Sequence, residues 1–330
     1  MTSSPILQID DLEKVFVSGQ STLFRKSERL VHAVDGISFT IEEGEIVALV
    51  GESGCGKSTL ALTLMGLEAP TAGRIMFKDD DITSMTPASA KALRRQIQMI
   101  FQDPYESLNP VMTISEIVAE PLVVHGIGDN QKERDSLVAE ALESAGLKPA
   151  ERYMNRYPHE LSGGQRQRVI IAGALILQPS VLIADEPVSM LDVSIRAEIL
   201  NLLGDLRDSR GISMLYITHD LSTVAYIADR IAVMYLGRIV EIGKTNDVLS
   251  NPQHPYTKAL LSVIPVPNPR LRGQHIILEG ETPNPVDLPS YCRFFPRCPV
   301  ATARCKDIDP PLIEVESGQL VACILAEGKQ

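Results

Sequence analysis

The sequence predicts an α/β domain with a helical insert, followed by a small cysteine-bearing extension. Three observations carry that prediction. Short, branched apolar runs alternate with helical patterns through the first 250 residues, a glycine-rich loop joins one such run to a helix, and prolines and cysteines crowd the end of the chain. A chain of 330 residues has room for one large domain and a smaller one. With 44% hydrophobic and 22% charged residues, it lies far from the composition of globally disordered chains. The net charge of −11 disfavours a general nucleic-acid coat, because non-specific binding rests on Lys and Arg displacing counterions. No apolar run nears the ~18 residues that would span a bilayer. The longest, Val169 to Leu177, stops at Gln178 and Pro179. The first residues lack the pattern of a secretory signal, so the chain is expected on the cytosolic side.

Taken in order, Ile46–Val50 reads as a buried strand, and after the glycines Thr59–Leu67 reads as a helix closed by Gly66 and Pro70. Gln131–Ala145 places Leu137, Val138, Ala141 and Leu142 on one face and charges on the other, ending at Gly146 as a helix should. Val181–Ala184 and Met214–Ile217 are too short for helices and read as buried parallel strands. The helical insert falls at about residues 103–174. Twelve of the 22 prolines follow residue 250, and Pro265, Pro267 and Pro269 favour an extended, stiff connector. The main domain is accordingly set at residues 1–255 and the extension at 256–330. No repeat of 20–50 residues is visible.

The chemistry begins at Gly51-Glu52-Ser53-Gly54-Cys55-Gly56-Lys57-Ser58-Thr59, which fits G-x-x-x-x-G-K-[ST] between a strand and a helix. Glycines at this place let backbone N–H groups turn inward around an anion at a helix N-terminus, Lys57 reaches the β- and γ-phosphates, and Ser58 ligates Mg²⁺. The bland reading is a glycine-rich turn, which does not account for Lys-Ser-Thr. Cys55 reads as a small residue with no redox part. A second element is Ala184-Asp185-Glu186-Pro187 at the end of a strand, where Asp185 would serve the Mg²⁺ shell and Glu186 would polarise the attacking water.

Leu161-Ser162-Gly163-Gly164-Gln165, followed by Arg166 and Arg168, reads by itself as a helix N-cap. Together with the two phosphate elements it resembles the signature of the ATP-binding-cassette (ABC) ATPases. The resemblance extends to Gln102 in Phe-Gln-Asp-Pro, to Ser189-Met190-Leu191-Asp192, to His219 in Ile-Thr-His-Asp, and to Phe16 as the aromatic that stacks on adenine. It implies a P-loop NTPase core with an antiparallel β subdomain and helical insert. It also implies Mg²⁺ held by Ser58, Gln102 and Asp185, Glu186 as base and His219 at the γ-phosphate. A further implication is a head-to-tail pair of ATPase subunits in which Ser162, Gly163, Gly164, Gln165 and Asp192 complete the partner's ATP site. Two departures stand out: Met190 replaces a small residue, and Gly173 lies where Arg is common.

The stretch Asn251-Pro-Gln-His-Pro-Tyr256-Thr257-Lys-Ala-Leu260, the stretch Phe101–Pro110, Tyr235-Leu-Gly237 and the cysteine-bearing tail resemble the ATPase subunits of dipeptide, oligopeptide and nickel importers. The resemblance implies a related second ATPase subunit, two permeases and an extracytoplasmic substrate-binding protein, with this chain peripheral on the cytoplasmic face. The cargo it implies is peptide, with nickel or oligosaccharide as alternatives. A soluble ABC ATPase acting on nucleic acid is the less favoured reading, since no coiled coil, zinc hook or second cassette is visible in the sequence. Cys292, Cys298, Cys305 and Cys323 form a C-x₅-C-x₆-C-x₁₇-C array. Buried free thiols, zinc and an iron–sulfur cluster all remain open on spacing, although zinc usually shows closer cysteine pairs. The resembled subunits carry a [4Fe–4S] cluster at such a motif, and that implication is preferred here. A metal centre, more than a core, is expected to organise residues 285–325, with nothing in the sequence to link it to the ATP loop.

Overall fold

The computed structural model describes residues 4–22, 25–264, 275–278, 280, 283–286, 288–315 and 318–326. Pro265, Pro267 and Pro269 of the expected connector lie outside the described residues. Two compact units divide the chain. The first comprises Met1–Ile41, Ile46–Ser84 and Thr218–Gln330, and the second comprises Glu42–Glu45 and Met85–Ile217.

The first unit opens with β1 (Leu7–Thr22), β2 (Arg25–Ile41), β3 (Ile46–Val50), α1 (Lys57–Leu64), β4 (Ala72–Phe77) and β5 (Asp80–Asp81). An antiparallel sheet in the order β2-β1-β4-β5 follows from their pairing. Leu7 faces Ile41 on one side and Phe77 on the other. Leu7 and Ile9 on β1 and Ile37, Phe39 and Ile41 on β2 are buried, the alternation expected of strands with one face on a core, and a register shift after Ile9 brings Leu12 inward as well. All five residues of β3 are buried, as a strand covered on both faces requires.

The second unit holds α2 (Pro87–Gln96), β6 (Ile97–Ile100), α3 (Ile114–His125), α4 (Gln131–Ser144), α5 (Glu151–Met154), α6 (Gly163–Leu175), β7 (Val181–Asp185), α7 (Val193–Arg210) and β8 (Ser213–Thr218). Strands β6, β7 and β8 are parallel neighbours. Helix α3 starts in a reciprocal cap between Thr113 and Glu116, and it packs on α4 and α6 to make the helical part.

The chain then returns to the first unit with α8 (Leu221–Ile227), β9 (Arg230–Tyr235), β10 (Arg238–Lys244), α9 (Thr245–Ser250), α10 (Pro255–Ser262), β11 (Ile313–Val315) and β12 (Gln319–Val321). Strand β9 runs parallel to β3 and antiparallel to β10, joined by a two-residue hairpin in which Leu236 and Gly237 both have positive φ (43° and 80°). From the tail, β12 pairs antiparallel with β10, setting Glu241 opposite Val321.

Local differences from the sequence reading have local causes. Helix α1 begins at Lys57 and ends at Leu64, short of the expected Leu67, because Gly66 turns left-handed (φ 62°) and Leu67 N–H bonds back to the Leu62 carbonyl. Strand β7 extends one residue further to Asp185, and β8 gains one residue at each end. The tail also has more of a core than expected. Tyr235, Tyr256, Phe294 and His254 pack ring against ring at centroid separations of 4.8–5.6 Å, so aromatic packing contributes to its organisation.

Candidate nucleotide site

The phosphate-binding pattern lies on the loop between β3 and α1. Gly56 caps α1 with φ 110°, and no side chain caps that helix, which leaves its first N–H groups to face an anion. A Cβ on Gly56 would lie 1.9 Å from the Ala33 carbonyl oxygen, and one on Gly51 would lie 2.2 Å from that of Met234. Close backbone approach explains the glycines here as much as freedom of φ does. Lys57 is 6% exposed, and its ammonium donates to the Gly51 (2.8 Å) and Glu52 (2.9 Å) carbonyls, so it lies folded along the loop. Ser53, Gly54 and Ser58 are exposed, and Thr59 is half-buried in the first turn of α1. Burial pushes the Cys55 thiol up, in keeping with a packing role only.

His219 and Phe16 belong to the same unit. His219 is exposed at the end of β8, just before Asp220, whose carboxylate accepts from Ser222 N–H (3.0 Å) to cap α8. Phe16 is half-buried on β1, and the Lys14 ammonium stands 4.7 Å from its ring centre.

The second unit carries the other predicted residues. Asp185 is 5% exposed at the end of β7, beside Glu186. Glu186 has φ 48°, a strained conformation for a residue with a side chain, and its N–H donates to the Ile217 carbonyl (2.9 Å). Its carboxylate accepts from the Gln102 side-chain amide (3.2 Å), joining two residues that are 84 positions apart in sequence. Ser162 and Gln165 form a reciprocal cap on α6: the Ser162 hydroxyl accepts from Gln165 N–H (3.3 Å), and the Gln165 side chain accepts from Ser162 N–H (3.0 Å). Gly163 and Gly164 form the first turn of α6, where a Cβ on Gly164 would meet Ile195 at 2.5 Å. Asp192 is exposed at the N-terminus of α7.

In the tail, Cys292, Cys298, Cys305 and Cys323 line one hollow of about 20 Å³ with His254, Phe294 and Phe295. The four thiols therefore converge. Burial raises the Cys292 thiol to about 11 and lifts Cys298 and Cys323 in the same direction. As they stand, however, no group of three or more His, Cys, Asp or Glu side chains among the described residues is placed to hold a metal ion, so the expected metal centre is not preformed. The physical reason is that desolvation in this hollow disfavours ionising Cys292, Cys298 and Cys323, which a metal-ligating cysteine must do. In kind they fit a thiolate-bound metal: the donors are soft, they share one hollow, and a cation would offset the cost of ionising them.

Sequence reasoning missed what holds the loop from outside. Tyr256 Oη accepts from Glu52 N–H (2.9 Å), and Arg297 grips the Glu52 carboxylate with two N–H bonds (2.7 and 3.1 Å). The extension therefore does touch the predicted ATP loop, contrary to expectation. The sequence signal was slight: a Tyr just past a Pro, and an Arg beside Cys298.

These features define a P-loop ATPase of the ABC class, and comparison with known proteins agrees. The ABC transporter family profile matches residues 34–189, and the profile for the oligopeptide/dipeptide transporter C-terminal region matches 240–305. The putative oligopeptide transport ATP-binding protein YkfD of Bacillus subtilis is 48% identical over 327 residues, covering 98% of this chain and 97% of that protein. The dipeptide transport ATP-binding protein DppF of Haemophilus influenzae is 48% identical over 322 residues, 97% of each chain. Among solved structures, the dimeric bacterial ABC transporter cassette MJ0796 superposes with a TM-score of 0.64 at 30% identity, covering 72% of this chain and 98% of that one. The same cassette has also been solved as a dimer bound to ADP and Pi, at 29% identity, a TM-score of 0.64 and the same coverage. The chain belongs to the ABC transporter ATP-binding proteins, in the branch that carries the oligopeptide/dipeptide C-terminal region, and it is an ATP-hydrolysing enzyme.

Proposed function

We propose that this chain is the ATP-hydrolysing subunit of an importer that takes up di- or oligopeptides, working on the cytoplasmic face of the membrane with a second, related ATPase subunit, two permeases and an extracytoplasmic substrate-binding protein. The observation that carries the reading is the loop at Gly51–Thr59, with its left-handed Gly56, an α1 without a side-chain cap, and Lys57 laid along the loop carbonyls. Support for the peptide cargo comes from the relatives named for oligopeptide and dipeptide transport and from the matched C-terminal region. Nickel and oligosaccharide are the alternative cargoes. Residues 1–255 act as the nucleotide-binding domain with its helical part at about 103–174, and 256–330 act as the extension. No described helix is long and apolar enough to cross a membrane, which suits a subunit that reaches it through permeases. The exposed Phe101, Tyr105 and Glu106 offer the permeases a surface.

In the proposed reaction Phe16 stacks on adenine, Ser53, Gly54, Gly56 and Thr59 line the phosphates with backbone N–H groups, and Gly51, Glu52 and Cys55 complete the loop around them. Lys57 and His219 hold the γ-phosphate. Ser58, Gln102 and Asp185 would hold Mg²⁺, which would supply positive charge against the developing phosphate charge. Glu186, oriented by Gln102, accepts a proton from water as its oxygen bonds to the γ-phosphorus, and the bond to the ADP oxygen breaks to release ADP and phosphate. Ser162, Gly163, Gly164, Gln165 and Asp192 close on the ATP of the partner subunit. Cys292, Cys298, Cys305 and Cys323 would hold a [4Fe–4S] cluster, with zinc as the alternative; either supplies a thiolate-bound anchor for the tail.

Glu186→Gln tests the core of this reading. ATP affinity should persist while turnover falls by about 10²–10⁴, since only the proton-accepting contact is lost. Turnover within about threefold of wild type overturns the assignment.

A further inference from the structure

Glu52 is the second residue of the phosphate loop, and each of its polar groups is engaged. Its N–H donates to Tyr256 Oη at 2.9 Å, its carbonyl accepts from Lys57 Nζ at 2.9 Å, and its carboxylate takes the two-pronged Arg297 contact. The first and third partners both come from the extension, 204 and 245 residues further along the chain. The second is the lysine that the family pattern directs to the phosphates.

The Arg297 contact is built more firmly than an ordinary surface pair. Its side chain is 8% exposed and that of Glu52 25%, the geometry is a fork, and the guanidinium lies 6.0 Å from the centre of the Tyr235 ring. Tyr235 in turn packs on Tyr256 and Phe294, so both extension residues that touch Glu52 stand on one aromatic cluster. Arg297 ends the short turn Phe295–Arg297, immediately before Cys298. Ser53 and Gly54 on the far side of Glu52 are exposed, and Gly54 has φ 79°. This exposed stretch, with no side-chain packing of its own, takes its shape from the residues that hold it on either side.

We propose that Arg297 is a positioning residue for the nucleotide: through its fork on Glu52 the extension sets the conformation of the phosphate loop and the resting place of Lys57. Affinity for ATP then answers to how the cysteine-bearing turn is folded. This rests on the reading that the Gly51–Thr59 loop binds the ATP phosphates.

The experiment measures ATP Kd, KM and kcat on the purified full chain for Arg297→Ala, Arg297→Lys, Glu52→Gln and the Arg297→Ala/Glu52→Gln double variant, with Lys57→Ala alongside. Arg297→Ala should weaken ATP binding and raise KM about tenfold while kcat stays within about threefold, because a positioning contact acts on the bound loop and not on the water attack. Arg297→Lys, keeping the charge but not the fork, should recover part of the affinity. The double variant should be no weaker than the worse single one, since both remove the same contact. Unchanged affinity in Arg297→Ala, losses that add in the double variant, or a fall confined to kcat would each overturn the proposal. Should Arg297→Ala not fold, Arg297→Lys and Glu52→Gln carry the same comparison, and wild-type affinity in both overturns it. If Lys57→Ala binds ATP like wild type, the loop assignment itself falls. If Lys57→Ala loses binding and Arg297→Ala does not, only the brace falls.

Discussion

Gly56→Ala should disable the phosphate loop, and the structure allows its cost to be worked against an internal control. A methyl at position 56 would stand 1.9 Å from the Ala33 carbonyl oxygen and 2.7 Å from Met234 Cε. The methionine end can swing away. The carbonyl belongs to β2 and cannot, so the loop must shift by roughly an ångström to restore van der Waals separation. Overpacking against backbone costs about 1–3 kcal/mol. Holding alanine near φ 110° adds about 1–3 kcal/mol more, for a total of about 4 kcal/mol. Gly54→Ala is the control: its φ is 79°, but a Cβ there meets nothing within 4 Å, so only backbone strain of about 1–2 kcal/mol applies. At about 2–4 °C per kcal/mol, the thermal midpoint should drop by about 8–16 °C for Gly56→Ala and about 2–8 °C for Gly54→Ala. ATP titration of the folded Gly56→Ala protein below its midpoint should show affinity reduced about 100-fold, because misplacing the loop by an ångström spoils several phosphate contacts together. Equal midpoint shifts in the two variants, or wild-type ATP affinity in Gly56→Ala, would refute the steric reasoning.

Further outcomes concern β10 and the tail. Glu241 is fully buried on β10, where it accepts from Gln253 N–H (2.7 Å), His254 N–H (3.0 Å) and the Gln319 side chain, so Glu241→Ala should cost about 1–3 kcal/mol per orphaned donor and speed hydrogen exchange at the two amides. Burial raises the Glu241 pKa above 4.5 despite these bonds, so the unfolded chain gives up its proton first and the stabilising contribution declines as pH rises from 4.5 towards the raised value; a wild-type advantage over Glu241→Gln that grows over that range would contradict this. Anaerobically purified protein should be brown, with about four irons per chain and broad absorbance near ~400 nm, and Cys298→Ser should bleach it and, by loosening the turn that carries Arg297, weaken ATP binding without abolishing it. One zinc in a colourless protein would move the four cysteines to the zinc reading, and titratable free thiols without metal would remove both.

What could be read from the sequence was what the chain encodes over short distances. Strand β3, the glycine loop and the start of α1 are contiguous, and their chemistry is written in adjacent residues. The reciprocal cap of Ser162 and Gln165 follows from a spacing of three, and the α4 boundary follows from Gly146, whose φ is 82°. Contacts made across the chain were not legible. Gln102 meets Glu186 over 84 residues and Arg297 meets Glu52 over 245, and no local pattern marks either pair as partners. Strands β11 and β12 are three residues each, too short to show an alternation, so the joining of the tail to β10 left no trace in periodicity. The end of α1 was overestimated because Leu67 continues the apolar pattern, while the left-handed turn at Gly66 sends it elsewhere.

The pairing of β12 with β10 also bears on solubility. Strand β10 presents Ile239, Val240 and Ile242 beside the buried Glu241. Without the extension, the side of β10 that β12 occupies would offer open N–H and C=O groups to any passing strand, the arrangement that seeds aggregation. The tail closes that side and hands the exposed position to β11, whose three residues include the exposed Glu314. A strand so short, with a charge at its centre, is a poor template. Whatever the cysteines hold, the extension therefore works as a guard on the sheet margin, and a cassette shortened at residue 255 would lose its protection from self-association along with its grip on the phosphate loop.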